Sequence, residues 1–553
     1  MTSFAGKEKE RVWKAYSRRE VEGMIAEGRS IIILDGFVLK VDAWLKYHPG
    51  GPKAIFHMVG RDATDEVTVL HSPEARAMMD RYRIGRVEGR WVNFLPPIQG
   101  GVFRPLGEEE EDVADTPPPS SHASSRSPSP PAVFDEGEGL RNRKVKGAPS
   151  VSSVEEDETE KPFDGMAHLD MLTKKEIKLD LERYPPLDGA TQDEIMHKYR
   201  LLNQRIRDEG LFQCNYRAYG IECCRYTLIF IAMLFFLRIG WYATSGFFLG
   251  AFWHQLVFTA HDAGHMGITH DFHTDSVIGI IIANFLGGLS LGWWKHNHNV
   301  HHIVTNSPEH DPDIEHMPFF AISHRFLASL RSTYYERVMT YDRAAQALIS
   351  VQNYTYYILL LFGRFNLYRL SWAFLIFGKG PRRGPAWWHR HLEIAGTIFF
   401  WSWFGYALVY RSIPTNAQRI IFVLVSHMVT APLHVQITLS HFAMSTADLG
   451  TTESFPQKML RTTMDVDCPE WLDFFHGGLQ FQAIHHLYPR IPRHNLRRTQ
   501  KLVMGFCEEV GIPYALYGFA DGNRVVIGRL GEVARQAAIL KKCQAAAARE
   551  GIH

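Results

Sequence analysis

Long apolar runs alternate with polar segments in the second half of the chain, and they predict a membrane protein. The longest run covers 226–260, "YTLIFIAMLFFLRIGWYATSGFFLGAFWHQLVFTA". A bilayer-spanning helix needs about 20 apolar residues, so this run is long enough for two spans. Aromatic side chains gather at the run ends, as they do at membrane interfaces. The other apolar runs cover about 277–292, 354–378, 392–410 and 417–438.

Two of these runs contain helix breakers or charges, and we expect neither to cross the membrane. The run at 277–292 is short and contains a Gly-Gly pair, which predicts a re-entrant or interfacial segment. The run at 354–378 contains two arginines and an asparagine. The interrupting residues are Gly287, Gly288, Arg364, Asn366 and Arg369. About four transmembrane helices then remain, an even number, so both chain ends should lie on one side of the bilayer.

The polar segments divide the rest of the chain. In the N-terminal region, "SIIILDGFVLKV" reads as two strands around the turn Asp35-Gly36, within a small α+β domain. A Pro-, Ser- and acid-rich segment follows, and it is predicted to be a disordered linker. The predicted divisions are an α+β domain at 1–95, the linker at 96–165, an amphipathic helical lead-in at 166–220, an all-α polytopic membrane domain at 221–500 and a cytosolic tail at 501–553.

Charge and cysteine content narrow the function classes. The formal net charge of the 553 residues is +1, so no basic excess points to nucleic acid. The six cysteines form no CxxC pair, which argues against a disulfide framework or a thiolate zinc site. The N-terminus is charged and has no apolar core, so no cleavable signal peptide is predicted.

Histidines form three clusters beside the apolar runs. Within each cluster they are spaced i, i+3 or i+4, which places them on one helix face. His296 lies about 200° round the helix from its neighbour in the second cluster and points away. The clusters are His261 and His265 in "HDAGH"; His298, His301 and His302 in "WWKHNHNVHH"; and Gln482, His485 and His486 in "QAIHH".

Seven clustered histidines exceed the ligands that one ion accepts, so two metal ions are predicted. Imidazole suits several transition metals. A further ligand is expected from the end of the last span, where His441 is favoured over His434 and His476. The scattered histidines His197, His389 and His391 are expected to lie on the surface.

The N-terminal domain carries its own candidate pair. "YHPGG" contains His48, and "VLHSPEA" contains His71. An electron-transfer haem needs two axial ligands, and two neutral imidazoles serve. A haem on the same chain favours redox-active ions over zinc in the membrane domain.

Along residues 12–90, "VLKVDAWLKYHPGG", "GRDATDEV", "LHS" and "YRIGRV" resemble cytochrome b5. That resemblance implies haem b, with His48 and His71 as axial ligands. The three boxes HxxxH, HxxHH and QxxHH, in this order after such a domain, resemble the membrane fatty-acyl and sphingolipid desaturases. The glutamine of the third box is typical of their front-end group, although Ala483 and Ile484 replace the usual Ile-Glu pair.

This resemblance implies the chemistry and the partners. It implies two non-haem iron ions held by the box residues, O2 as oxidant, and NADH-derived electrons that arrive through NADH-cytochrome b5 reductase. It also implies an endoplasmic-reticulum membrane protein whose haem and histidine clusters face the cytosol. The box histidines are the implied catalytic residues. Beside them, the residue pattern itself predicts two further metal ligands, His441 and the amide oxygen of Gln482. Asp262 is expected to orient His261, and Trp293 and Trp294 to line the membrane surface or a substrate tunnel.

Two further segments bear on the substrate class. "GWWKHNHNVHH" and "MDVDCPEWLDFFHGGLQFQ" resemble the sphingolipid delta-8 group of these desaturases, and the Pro/Ser insert resembles fungal members. A ceramide or a free long-chain base is then the expected substrate. The alternatives are a delta-5 or delta-6 polyunsaturated acyl desaturase and a lipid hydroxylase. A haem carrier would leave the clusters unexplained, and a metal transporter would hold its ligands at the bilayer midplane.

Overall fold

The structure is a computed structural model, and it describes residues 12–107, 165–378, 380 and 383–549. The N-terminal domain is α+β, as predicted. Its four-stranded sheet has the order β1-β4-β3-β2, with β1 parallel to β4 and the other pairs antiparallel. Its elements are β1 (Ala15–Tyr16), α1 (Arg18–Ala26), β2 (Ile31–Leu34), β3 (Phe37–Lys40), α2 (Pro52–Phe56), α3 (Thr64–Leu70), α4 (Pro73–Met79) and β4 (Arg83–Val87).

The predicted turn connects β2 and β3 directly. Leu34 pairs with Phe37 across it. Asp35 and Gly36 both have positive φ, 52° and 71°, which a two-residue hairpin turn requires.

The remainder of the described chain is almost entirely helical. Four short strands form two small pairs, and the pair β7·β8 is parallel. The helices are α5 (Gly165–Arg183), α6 (Gly189–Asp208), α7 (Tyr216–Arg238), α8 (Tyr242–Gly264), α9 (Phe272–Ile280), α10 (Leu291–Ile303), α11 (Arg343–Ile349), α12 (Gln352–Leu361), α13 (Gly363–Phe377), α14 (His389–Phe400), α15 (Asn416–Met428), α16 (Ala431–Phe442), α17 (Phe455–Thr462), α18 (Asp473–His476), α19 (Gln482–Leu487), α20 (Leu496–Val510) and α21 (Phe519–Arg549). The strands are β5 (Arg331–Ser332), β6 (Arg337–Val338), β7 (Asp465–Asp467) and β8 (Leu516–Gly518).

Three helical stretches among the described residues are long and apolar enough to cross a membrane, or up to five if two bent helix pairs are counted. α14 reaches that length because a π-helical segment, Trp401–Arg411, continues it. α8 has 23 residues, as α7 has, but His254 and Gln255 interrupt its apolar run, and it is not among the three. The three stretches are Tyr216–Arg238, His389–Arg411 and Asn416–Phe442.

The two runs that were predicted not to cross are the two bent pairs. α9, continued by a π-helical segment, turns by 118° into α10, and α12 turns by 65° into α13. Arg364 is buried and connects the two bends, because its guanidinium donates to the carbonyl of Gly287 at 2.6 Å. Its charge therefore satisfies a backbone group that the Gly287-Gly288 break leaves free.

The described parts of the predicted linker and tail pack against the neighbouring domains. Residues 96–107 of the predicted linker lie against the N-terminal domain, where Arg104 pairs with Glu22 at 3.2 Å. The rest of that prediction, 108–164, lies outside the described residues. In the predicted tail, α21 buries Val526 and Leu530 in the same apolar cluster as α12 and α16.

Candidate metal and haem centres

The three predicted clusters converge at one place. α8 contributes His261 and His265, α10 contributes His298 and α19 contributes His485. One ring nitrogen from each of the four lies within 4.8 Å of the others. Residues more than 200 positions apart in the chain therefore meet in one tetrad of imidazoles.

A second group lies beside this tetrad. It contains His301 of α10, His441 of α16 and His486 of α19, and one ring nitrogen from each also lies within 4.8 Å of the others. His302 lies between the two groups. Its Nε2 is 3.1 Å from Nε2 of His298, and its ring stacks on His486 at 4.3 Å. Two adjacent groups match the two ions that the histidine count predicts.

The state of the ring nitrogens fits metal ions. Nε2 of His301 lies 3.2 Å from Nε2 of His486. At least one of these two nitrogens must offer a lone pair, because two N–H groups cannot face each other at that distance. Burial, followed by the neighbouring imidazoles, holds the pKa of His485 and His486 far below its usual value, so both rings are neutral. Several buried ring nitrogens have no hydrogen-bond partner among the described residues: Nε2 of His265 and His485, and Nδ1 of His302 and His441. In His301, burial lowers the pKa, but the Asp311 and Asp313 carboxylates outweigh it and raise the pKa to about 9. The neutral imidazoles and the free ring nitrogens of the two groups are a suitable donor set for transition-metal ions.

Two carboxylates that the sequence analysis missed support the second cluster. Nδ1 of His301 donates to Asp311 at 2.8 Å, and this directs Nε2 into the site. Asp313 lies 3.6 Å from Nδ1 of His298. Carboxylates behind metal-binding histidines fix the tautomer and the ring orientation. The sequence pattern that could have indicated these two carboxylates is "HDPD", just downstream of the second box.

Trp294 forms one wall of the site. Its ring stacks on His298 with a centroid distance of 4.5 Å, and it lies 5.3 Å from His261. Gly264 makes room for this ring, because a Cβ at that position would overlap it. Trp294 therefore packs against two imidazoles of the tetrad.

Asp262 is buried and accepts hydrogen bonds from neighbouring side chains. It accepts hydrogen bonds from Tyr219 and from Arg493, and Arg493 also pairs with Glu222. Its carboxylate is 3.9 Å from Nδ1 of His261. The network fixes the end of α8 relative to the segment that follows α19, so it positions two clusters at once.

In the N-terminal domain, His48 and His71 face each other with ring centroids 6.0 Å apart. Each Nδ1 lies against a backbone carbonyl, that of Gly51 at 2.7 Å and that of Val67 at 3.1 Å. Because a carbonyl only accepts, Nδ1 carries the proton and Nε2 offers its lone pair. Burial lowers the pKa of His48, and burial, followed by the neighbouring His48 imidazole, lowers that of His71 to about 3, so both rings are neutral. This pair fits the axial positions of a haem.

The haem domain is docked on the outer side of α10. Gly50 and Gly51 approach this helix so closely that a Cβ on either would overlap Asn299 or His296. The glycines of the His-Pro-Gly-Gly turn thus permit a helix contact in addition to any haem contact. His296, which the helical spacing turned away from the metal face, is the residue that meets the haem domain.

Apolar and charged contacts hold the domain in this place. Val300 and Ile303 of α10 share one buried cluster with the haem-domain residues Leu39 and Met58. At the rim, Arg200 donates twice to Asp65, at 2.8 and 3.1 Å. The same helix therefore carries metal-facing histidines on one face and haem-domain contacts on the other.

Other predicted residues have different surroundings. Gln482 begins α19 and is buried. His434 is half-buried and His476 is buried, and they belong to neither histidine group found among the described residues. His197 and His391 are exposed, whereas His389, expected on the surface, is buried where its Nε2 meets His273 at 3.2 Å.

Comparison with known proteins agrees with this geometry. Residues 239–518 match the fatty acid desaturase family, and residues 17–88 match the cytochrome b5-like haem/steroid binding domain. The chain belongs to the fatty acid desaturase family and carries a cytochrome b5-like domain at its N-terminus. It is a membrane oxidoreductase, as the sequence predicted.

Three relatives indicate how closely the chain follows known members. It is 63% identical over 97% of its length to the Delta 8-(E)-sphingolipid desaturase of Emericella nidulans, 97% of which is covered. It is 48% identical over 96% of its length to the enzyme of that name from Kluyveromyces lactis, 94% of which is covered. It is 36% identical over 62% of its length to the Delta(8)-fatty-acid desaturase 1 of Arabidopsis thaliana, 76% of which is covered.

Proposed function

We propose that the chain introduces a delta-8 double bond into the long-chain base of a sphingolipid, with O2 as oxidant and electrons relayed through its own haem domain. The names of the relatives that match nearly its full length support this substrate. The observation that carries the chemistry is the convergence of histidines from α8, α10, α16 and α19 into two adjacent groups.

Two iron ions are the proposed occupants of these groups. His261, His265, His298 and His485 would hold one, and His301, His441 and His486 the other, with His302 between them and Gln482 as a further ligand. When bound, the ions supply O2 activation and the cleavage of an unactivated C–H bond, for which no side chain has the chemistry. Desaturation removes two hydrogen atoms from adjacent methylenes and, with two electrons and two protons, reduces O2 to two water molecules.

The side chains around the ligands have separate tasks. Asp311 keeps the proton of His301 on Nδ1, so that Nε2 stays available. Trp294 covers the tetrad and excludes water from its side of the site. Arg493 and Asp262 hold the ends of two ligand-bearing segments together.

His48 and His71 are the proposed axial ligands of a haem b, which when bound supplies single electrons. The docked domain places its His-Pro-Gly-Gly turn against α10, so the haem ligand His48 and the ligand His298 lie on either side of one helix. NADH-cytochrome b5 reductase is the proposed donor to the haem. The proposed location is the endoplasmic-reticulum membrane, with haem and histidine groups on the cytosolic face.

The test is expression in a yeast that lacks sphingolipid delta-8 unsaturation, followed by mass spectrometry of the long-chain bases. The wild type should restore the C8–C9 double bond, and His302→Ala and His48→Ala should each abolish it. His197→Ala, which removes an exposed histidine, should not.

The same experiment separates the second candidate. The chain is 37% identical over 57% of its length to the Acyl-lipid (9-3)-desaturase of Borago officinalis, 71% of which is covered. New double bonds in fatty acids, with unchanged long-chain bases, would refute the sphingolipid proposal and support an acyl substrate.

A further inference from the structure

A small cavity lies beside α10, and none of the box histidines lines it. Its volume is about 40 Å³, and it is enclosed by α9, α10, α13 and α14, with Pro49 of the haem domain at one edge. A water molecule needs only about 10–15 Å³ by this measure, so the cavity is large enough for a small polar group. The residues that shape it are Ser276, Leu291, Lys295, Phe374, Arg390 and Glu393.

The cavity contains a buried lysine without a partner. Lys295 is only 9% exposed, and its Nζ has no hydrogen-bond partner among the described residues. Its ammonium lies 5.3 Å from the centroid of the Phe272 ring. A buried ammonium normally has a hydrogen-bonded or charged partner, because its desolvation is expensive.

Further unused donors face the same space. Oγ of Ser276, which is 2% exposed, and Nε of Arg390 also have no partner among the residues that the structure describes. All three groups donate hydrogen bonds, so the cavity requires a ligand that offers oxygen acceptors.

The one carboxylate among the residues that line the cavity is not the missing acceptor for these donors. Glu393 is occupied by Ser290 at 2.5 Å and by the backbone N–H of Gly292 at 3.0 Å. Among the described residues it makes no ion pair with Lys295 within 4 Å. The carboxylate therefore stabilises the start of α10 and leaves the lysine free.

We propose that this cavity binds the polar head of the lipid substrate, through the hydroxyl oxygens of a long-chain base or the hydroxyl and amide oxygens of a ceramide. Apolar neighbours, Leu291 and Phe374, suit the first carbons of the chain. Lys295 precedes His298 by one helical turn, so a head bound here lies close to the metal-binding histidines. The number of chain carbons between head and metals would then decide where the double bond forms. This inference rests on the proposed function and specifies how the site selects one carbon.

The test uses Lys295→Met in the full-length enzyme with haem and iron bound. This variant keeps the length of the side chain and removes its donors. We expect the KM for a long-chain base substrate to rise about tenfold or more, because a charge-assisted hydrogen bond is lost, and double bonds to appear at neighbouring carbons. Ser276→Ala should shift KM in the same direction, and the exposed Lys501→Met should change neither.

A substrate analogue that lacks the head hydroxyls provides a second readout. The wild type should lose affinity for it, whereas Lys295→Met should bind both substrates about equally. An unchanged KM and double-bond position in Lys295→Met and Ser276→Ala would overturn the inference, as would equal discrimination by wild type and variant.

Haem and iron measurements exclude another use of the lysine. Haem absorbance, haem reduction potential and iron content should be the same in wild type and Lys295→Met. A shifted potential or lost haem would assign the lysine to the haem propionates and overturn the proposal. If the wild type itself is inactive on long-chain bases, the proposed function is wrong. If the wild type is active and the Lys295→Met variant is unchanged, only the inference about Lys295 is wrong.

Discussion

At the scale of single residues, the same hydrogen-bonding arrangement of histidines recurs in both candidate centres. His48, His71 and His301 each direct Nδ1 to an oxygen that only accepts, a backbone carbonyl in two cases and Asp311 in the third. The proton is thereby held on Nδ1, and Nε2 is offered to the centre. Burial of the two haem-domain rings adds to this by disfavouring their protonated form. These side chains are therefore preorganised as ligands by their immediate neighbours.

Asp311→Asn tests this hydrogen-bonding arrangement in the metal site. The amide can still approach His301, but it carries no charge to hold the Nδ1 proton, so iron affinity should fall by roughly 10- to 100-fold. Iron per protein, measured by elemental analysis after dialysis, and desaturase activity should fall together. The exposed Asp170→Asn is the matched control. Full iron occupancy with normal activity in Asp311→Asn would show that the carboxylate has no positioning role.

The residue scale also shows what the sequence could predict. The box histidines were predictable because ligands one helical turn apart are a local pattern, and His441 because it ends a predicted span. Asp311 could not be assigned, since its bond to His301 depends on how the loop after α10 folds back. Nor could Lys295, because an unpartnered amine is visible only when α9, α13 and α14 surround it.

At the scale of elements, α10 is the central one. One face holds His298, His301 and His302, and the other meets the haem domain through His296 and Asn299. The helical spacing correctly predicted two different faces. It could not predict what the second face contacts, because docking of the haem domain is a tertiary event that joins residues about 250 positions apart.

Close packing of α8 against α10 should be sensitive to a single methyl group. Gly264→Ala places a Cβ inside the ring of Trp294, so the two helices must separate and the tetrad must distort. We expect loss of most activity and of iron, together with a lower Tm of the detergent-solubilised protein.

Gly505→Ala is the matched control for this change. Gly505 lies within α20, and a Cβ there has no neighbour within 4 Å. Alanine should stabilise this helix by about 0.5–1 kcal/mol and leave activity intact. Similar effects of the two substitutions on iron content and activity would contradict the role of the Gly264–Trp294 contact.

At the scale of the whole molecule, the haem domain and the membrane domain form one packed arrangement. Arg200 pairs with Asp65 across their interface, and Lys53 donates to the backbone carbonyl of Thr333 at 3.0 Å. The sequence predicted both domains but not this contact. No local pattern links Asp65, a carboxylate buried at the interface, to a guanidinium on a helix of the other domain.

Charge reversal tests whether this docked arrangement carries electrons. Asp65→Arg places two like charges at the interface and should slow oxidation of the reduced haem by O2 and substrate severalfold, as followed by stopped-flow absorbance. Adding Arg200→Asp restores opposite charges and should recover most of the rate. Haem content should stay unchanged throughout. An equal rate in Asp65→Arg and wild type would mean that electrons pass in another arrangement.

The direction of the whole molecule across the membrane follows from where the histidines lie on the helices. α8 begins at Tyr242 and reaches His261 and His265 only at its far end, about 30 Å away at 1.5 Å per residue. His441 likewise lies at the far end of the stretch that starts at Asn416. The loops at 239–241 and 412–415 should therefore lie on the opposite side of the bilayer from both histidine groups.

Cysteine labelling in sealed endoplasmic-reticulum vesicles would test this arrangement in a parent whose six cysteines are replaced. A membrane-impermeant maleimide should label Arg183→Cys, which is exposed near the start of the membrane domain, without permeabilisation. Ile239→Cys and Ser412→Cys, also exposed, should react only after detergent is added. If only one of these two loops reacts in sealed vesicles, the even number of crossings is wrong, and the four histidine-bearing helices could not meet on one face. Labelling of both loops in sealed vesicles would place these loops on the cytosolic face and the haem on the opposite face. Because the proposed reductase donates from the cytosol, the haem would then lack its proposed electron supply.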